Sequence, residues 1–176
     1  ERETFYDPAE IVSQVGTRLA AAAKNGEHID YLAFVPDGEP VLDANLGIEI
    51  ERLRPLGIPV AVITNSSLLW REDVRRDLMK ADWVSIKVDA VTPAVWHDIN
   101  KPVRNLSLPA VLGGIEKFAA SFEGILATET MLVRGVNDSI EEIRKVADFL
   151  SKLRPSTAWI SIPTRPPARS ILPARE

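Results

Sequence analysis

The sequence predicts an α/β fold built on a parallel sheet, and two patterns along the chain support this prediction. Short apolar, β-branched runs typical of buried strands alternate with longer segments whose apolar residues recur at helical spacing. Strands separated by helical segments are joined by crossovers, so neighbouring strands run parallel. The series opens on a helix, and we therefore expect that the strand that would begin it precedes Glu1.

The composition is that of a globular protein with one domain. The chain has 176 residues, 45% of them hydrophobic and 26% charged, and its net charge of −4 argues against a generally basic nucleic-acid surface. It has no cysteine, so thiolate ligands are excluded, and His28 and His97 lack metal-ligand spacing. No apolar run reaches the roughly 20 residues of a membrane span. With no signal-peptide pattern, we expect a cytoplasmic protein without membrane contact.

The apolar runs and the helix signals set the order of elements. Asp7 with Glu10, and Ser139 with Glu142, are spaced as capping boxes, and Asp43 is the expected cap of a second helix. The predicted helices cover 8–24, 44–53, 71–80, 93–98, 107–122 and 140–153. The predicted strands lie within 31–42 and at 58–64, 83–88, 125–133 and 157–163.

Polar residues stand at the carboxyl ends of these strands, where α/β folds place their ligands. Lys87 is the most informative of them, and four roles are open to it: an ion pair with Asp89, an ion pair with Glu129, ligand binding, or a Schiff base as in aldolase-type barrels. A buried polar group needs a partner, which a ligand can supply. The strand-end residues are Asp37, Gly38 and Glu39 of the first strand, Thr64, Asn65, Ser66 and Ser67 of the second, Ser85, Lys87 and Asp89 of the third, Thr128, Glu129 and Thr130 of the fourth, and Ser161, Pro163 and Thr164 of the fifth.

The segment 134–142, RGVNDSIEE, follows the fourth strand and leads into the last helix. Turn and cap chemistry explains Gly135 and Ser139 without any ligand. Val136 and Asn137 are then the residues left for a function.

Five segments in order, FVPDGEPVL, VAVITNSSLLW, ADWVSIKVDA, TETMLVRGVNDSIEEI and SIPTRPP, resemble the radical S-adenosylmethionine (radical SAM) superfamily. The resemblance is closest to the group related to wyosine-base synthesis on tRNA. It implies a partial (β/α)6 barrel over 1–163 with its first strand missing. Residues 164–176, rich in proline and arginine, are expected to form a C-terminal extension.

The resemblance also implies a cofactor site for S-adenosylmethionine (SAM). Gly38 and Glu39 resemble the Gly-Gly-Glu motif that takes the methionyl ammonium, although Asp37 replaces the first glycine and Pro36 precedes it. Four residues fall where the family contacts the ribose and carboxylate of SAM or the substrate: Asn65, Ser85, Lys87 and Asp89. Val136 and Asn137 resemble the segment that packs on adenine.

The family holds a [4Fe–4S] cluster in a Cys-x3-Cys-x2-Cys loop after the first strand, and this chain has no cysteine. We therefore expect the core fragment of a radical SAM enzyme, inactive as this chain, with the cluster in the full-length protein only. The alternatives are a non-catalytic SAM- or partner-binding barrel and an aldolase-like barrel that uses Lys87. A tRNA substrate is implied by the resemblance alone, and self-association is expected through the open edge of the barrel.

Overall fold

The computed structural model describes residues 1–35 and 38–164. Five parallel strands form one sheet in the order of the chain, β1-β2-β3-β4-β5. This arrangement confirms the predicted α/β class and the partial barrel. The strands are β1 Leu32–Phe34, β2 Val60–Thr64, β3 Trp83–Lys87, β4 Ile125–Met131 and β5 Thr157–Ser161.

Helices connect the strands and cover one side of the sheet. Two short 3-10 turns, Pro40–Leu42 and Arg54–Leu56, flank the second helix. The helices are α1 Pro8–Lys24, α2 Leu46–Leu53, α3 Glu72–Leu78, α4 Pro93–Asn100, α5 Leu108–Ser121 and α6 Ile140–Leu153.

The predicted elements all appear, but the capping predictions hold only in part. Asp7 accepts from the Ala9 N–H, and Ser139 accepts from the Glu142 N–H at 3.2 Å. The reciprocal half of each capping box is wrong. The Glu10 carboxylate binds the Gln14 amide, and the Glu142 carboxylate binds a loop of another βα unit.

The Asp43 cap is also wrong, because the 3-10 turn delays the start of α2 to Leu46. Asp43 accepts from the Asn45 N–H at 2.8 Å, before the helix begins.

The two faces of the sheet have different environments because side chains alternate along each strand. Val62, Val84 and Leu126 lie side by side on three strands and belong to the apolar core with the helices. The next row, Ser85 beside Ala127, faces the interior of the partial barrel. The interior face therefore carries Ser85 and Lys87 of β3 and Glu129 of β4, whereas Thr128 and Thr130 of β4 lie on the core face.

The sheet has two open edges within the described residues, since β1 and β5 each pair on one side only. On β5, Trp159 is 60% and Ile160 is 72% exposed. Unpaired strands and exposed apolar side chains are features of association surfaces, and self-association through an edge stays a prediction. None of the described helices is both long enough and apolar enough to cross a membrane.

The division into a domain at 1–163 and an extension at 164–176 also stays a prediction. Thr164 is the last described residue, so the extension lies almost wholly outside the described part of the chain. Pro36 and Asp37, which depart from the glycine motif, lie outside it as well.

Candidate functional site

A chain of hydrogen bonds joins the carboxyl ends of β1, β2 and β3. The Thr64 hydroxyl donates to Oε1 of Glu39 at 2.5 Å, and the Ser66 N–H donates to the Thr64 hydroxyl oxygen at 3.1 Å. The Lys87 N–H then donates to Oγ of Ser66 at 2.8 Å. The first bond joins β2 to the loop after β1 and the last joins it to β3, so the three strand ends are held in a fixed relation.

Glu39 anchors this chain of hydrogen bonds through both carboxylate oxygens. Oε2 accepts from the Asn65 N–H at 2.7 Å, and Oε1 also accepts from the Val41 N–H at 3.4 Å. Burial raises the pKa of Glu39, and the bonds from Thr64, Asn65 and Val41 oppose that rise. Glu39 thus braces the loop after β1 against the end of β2, and Oε2 keeps acceptor capacity for one further donor.

A second group of bonds gathers around Asp89, directly after β3. Its carboxylate is buried and accepts from the Met131 N–H at 2.8 Å and from the Asn100 side-chain amide at 3.0 Å. Burial raises the pKa of Asp89, while the Met131 N–H, Lys87 and Asn100 oppose the rise. Asp89 therefore connects the ends of β3 and β4 with the last residue of α4.

The ion pair of Lys87 is with Asp89, at 3.7 Å from Nζ to Oδ2. Glu129 lies directly beside Lys87 in the sheet register, but its Oε1 accepts from the Ser161 hydroxyl at 2.9 Å. Of the two ion pairs that the sequence left open to Lys87, the structure thus shows the one with Asp89.

Asn137 is buried, and both polar atoms of its side-chain amide form hydrogen bonds with backbone groups around it. Its Oδ1 accepts from the Val133 N–H at 2.7 Å, and its Nδ2 donates to the carbonyls of Asp89 and Met131 at 2.8 and 2.9 Å. The residue ties the loop after β4 to the end of β3. Val136, half-buried beside it, has an apolar side chain that can pack on a ligand.

The structure brings five of the eight predicted site residues into direct polar contact. Glu39 bonds to Asn65, and Asp89 contacts both Lys87 and Asn137. The other three lie at the same edge without such a contact: Gly38, Ser85 and Val136. Ser85 is buried two residues before Lys87 on the same face of β3, and a Cβ built on Gly38 would meet no atom within 4 Å.

Three residues outside the predicted set complete the site: Thr64, Ser66 and Asn100. Ser66 has φ of 68°, a left-handed conformation that is uncommon for serine. Residues with strained backbone conformations of this kind cluster at functional sites. Thr64 and Ser66 stand at a strand end, a signal available in the sequence. Asn100 is the last residue of α4 and is separated from β3 by the length of that helix. No sequence pattern indicates its contact with Asp89.

Within the described residues, no group of three or more His, Cys, Asp or Glu side chains is arranged to hold a metal ion. A [4Fe–4S] cluster needs thiolates, and the sequence contains none. The residues present therefore do not fit the cluster. They do fit a zwitterionic ligand, because an ammonium at Lys87 and carboxylates at Glu39 and Asp89 lie along one edge.

Comparison with known proteins defines the class. The family model for the radical SAM superfamily matches residues 2–150. The chain belongs to the radical SAM superfamily, which confirms the resemblance found in the sequence.

The chain is most informatively compared with two curated relatives and one solved structure. A UPF0026 protein of Methanocaldococcus jannaschii is 45% identical over 172 residues, covering 98% of this chain and 53% of the relative. A UPF0026 protein of Synechocystis sp. is 33% identical over 167 residues, covering 94% and 60%. The chain thus spans little more than half the length of these relatives.

The solved structure is that of TYW1 with a lysine-pyruvate adduct bound. It matches with a TM-score of 0.72 at 15% identity, over 94% of this chain and 57% of that one. At this identity, the match shows the shared fold alone.

Proposed function

We propose that this chain is the SAM-binding core of a radical SAM enzyme. The observation that supports the proposal is the row of polar groups along one barrel edge. The Glu39 and Asp89 carboxylates there accept bonds from neighbouring elements, and the Lys87 ammonium lies 3.7 Å from Asp89. A preorganised row of opposite charges suits a ligand that carries both an ammonium and a carboxylate.

Different residues of the site would contact different parts of SAM. Glu39 has acceptor capacity for the methionyl ammonium, and Lys87 can donate to the carboxylate or the ribose. Asn65, exposed on the loop after β2, bonds to Glu39 through its backbone and lines the same cavity as Lys87, and its side-chain NH₂ can donate to the ligand. Val136 offers an apolar surface to adenine, and Asn137 and Asp89 hold the loops in place.

A [4Fe–4S] cluster supplies the electron for reductive cleavage of SAM in this superfamily. No residue of this chain can ligate it, so we infer that the chain is inactive unless cysteine-bearing sequence accompanies it. A tRNA substrate remains a prediction that rests on the resemblance.

Calorimetric titration of the chain with SAM tests the proposal. We expect binding that is weakened about tenfold by Lys87→Met, the loss of one charge-assisted bond, and unchanged by Lys152→Met on the exposed end of α6. Equal affinity in both variants, or no binding by the folded chain, would contradict it.

The coding sequence upstream of Glu1 gives a second test, because a reading frame without Cys-x3-Cys-x2-Cys would count against a radical enzyme. SAM binding in a protein that truly lacks the motif would favour the non-catalytic binding module instead.

A further inference from the structure

A cavity of about 400 Å³ lies between the carboxyl end of β3 and the helices α4 and α5. Its wall is apolar and comes from three consecutive pieces of the chain. Trp96 and Ile99 of α4, Leu106 of the connection, and Leu112 and Ile115 of α5 all line it. The volume lies in the range of small-molecule pockets, and the wall suits an apolar body.

The polar side chains that line the cavity include residues of the candidate site. They are Asn65, Ser67, Lys87, Asp89, Asn100 and Lys101. Asp89 accepts from Asn100 and is paired with Lys87, so the charges of Lys87 and Asp89 offset each other, while Nζ of Lys87 keeps its N–H donors for a ligand. Lys101 forms none of the ion pairs found among the described residues. The charge left over at the cavity is therefore positive.

The backbone holds Lys101 at this position. It ends α4 in a left-handed conformation with φ of 46°, and its N–H donates to the His97 carbonyl at 3.2 Å. Pro102 follows and prevents the helix from continuing. The left-handed conformation does not itself explain a lysine at this position, since glycine or asparagine adopts that conformation more readily.

We propose that this cavity binds the apolar body of a small amphipathic anion, with the anionic group at Lys101. The inference deepens the proposed function and rests on it, because it names the class of substrate that would lie beside SAM. SAM itself is a poor occupant, since its sulfonium gives it a net positive charge that the ammonium of Lys101 repels. A carboxylate or phosphate on an aliphatic or aromatic body satisfies both the wall and the charge.

Titration with 3-phenylpropionate, compared with the cation 3-phenylpropylamine, tests the proposal. We expect the carboxylate to bind about tenfold more tightly than the amine, and Lys101→Met to weaken carboxylate binding about tenfold, the effect of one charge contact. Leu112→Trp fills the cavity and is expected to abolish binding. Ile48→Trp adds the same bulk on α2, where the side chain is 43% exposed, and is the matched control.

Four results would overturn the proposal: no binding of 3-phenylpropionate to the wild-type chain, equal binding of the amine, unchanged affinity in Lys101→Met, or unchanged affinity in a folded Leu112→Trp variant. Circular dichroism establishes folding, and if Leu112→Trp does not fold, the exposed Lys101→Met substitution decides alone. Titration with SAM separates the two proposals. Binding of 3-phenylpropionate without binding of SAM would contradict the proposed function and still support the cavity site. Binding of SAM without binding of 3-phenylpropionate would support the proposed function and contradict the cavity site.

Discussion

Thr92 donates both its backbone N–H and its hydroxyl to the carboxylate of Glu142, which lies fifty residues later in the chain. The Val91 N–H donates to the same carboxylate at 2.8 Å. Glu142 stands in the first turn of α6, and Thr92 precedes α4. This contact fixes the loop that begins at Asp89, and so it holds one side of the candidate site from outside the barrel.

Removing the charge of Glu142 is expected to destabilise the fold. Burial would raise the pKa of Glu142, but the bonds from Thr92 and Val91 hold it below its ordinary value of 4.5. Glu142→Gln should lower the free energy of unfolding at pH 7 by about 2 kcal/mol, because a buried charged acceptor is lost. Urea denaturation measures this, with the exposed Glu141→Gln as the control.

The difference between Glu142→Gln and the wild type should depend on pH. The ionised carboxylate contributes stability above pH 4.5, and this contribution is lost as the pH falls through the folded pKa, so the deficit of the variant should shrink in acid. A deficit that persists unchanged at pH 3 would argue against this role.

Two adjacent glycines of α5 are expected to respond in opposite ways to alanine. A Cβ on Gly114 would overlap the Leu69 carbonyl oxygen, whereas a Cβ on Gly113 would meet nothing within 4 Å. Gly114→Ala should cost about 2–3 kcal/mol through backbone displacement. Gly113→Ala should stabilise the helix by about 0.5–1 kcal/mol. Thermal unfolding compares the pair, and similar shifts of Tm for both variants would contradict the close packing of α5 on the loop after β2.

The buried carboxyl of Glu49 is expected to make stability fall as the pH rises. Burial, with the nearby charge of Asp43, raises the pKa of Glu49 to about 7, and its Oε1 has no hydrogen-bond partner among the described residues. Below the unfolded value of 4.5 the contribution is fully present, and it is lost as the pH rises through about 7. Glu49→Gln should therefore be roughly 2–3 kcal/mol more stable than the wild type at pH 8 and similar to it at pH 4. Denaturation at the two pH values measures this, with the exposed Glu51→Gln as the control. An equal effect at both would refute it.

Lys87 and Asp89 are expected to be energetically coupled. Lys87→Met leaves a buried carboxylate without its cation, whereas the double variant with Asp89→Asn removes both charges. The double-mutant cycle should show a coupling of about 1–2 kcal/mol, less than for a fully buried pair because the Lys87 side chain is 28% exposed. The exposed pair Lys145 and Glu141 serves as the control cycle, with little coupling expected. Strictly additive effects at Lys87 and Asp89 would show that the two charges do not interact.

Much of the fold could be predicted from the sequence because strand and helix periods differ. The 58–64 and 83–88 predictions end within one residue of β2 and β3, since both strands are apolar runs that stop at polar residues. The starts of β3, β4 and β5 were predicted to the residue, whereas β4 and β5 end two residues before their predicted ends. Strand β2 begins at Val60, where pairing with β1 begins, although the apolar run starts at Ile58.

The candidate site could be predicted only as a location. Parallel strands place their carboxyl ends at one edge, so Glu39, Asn65, Lys87 and Asp89 were expected together. The choice of partner could not be predicted. Lys87 lies level with Glu129 in the sheet and nevertheless pairs with Asp89, while Oε1 of Glu129 accepts from the Ser161 hydroxyl of β5.

By itself, the sequence determined the order of strands and helices, the edge that carries the site, the superfamily and the absence of cluster ligands. These follow from local periodicity, from motif order and from composition. Only the tertiary structure decided that Glu142 holds Thr92, that Ser66 joins β2 to β3, and that Asn100 reaches Asp89. The physical reason is that each side chain has several chemically adequate partners in the sequence. Only the packing of distant segments brings one of them within about 3 Å, the range in which a hydrogen bond forms.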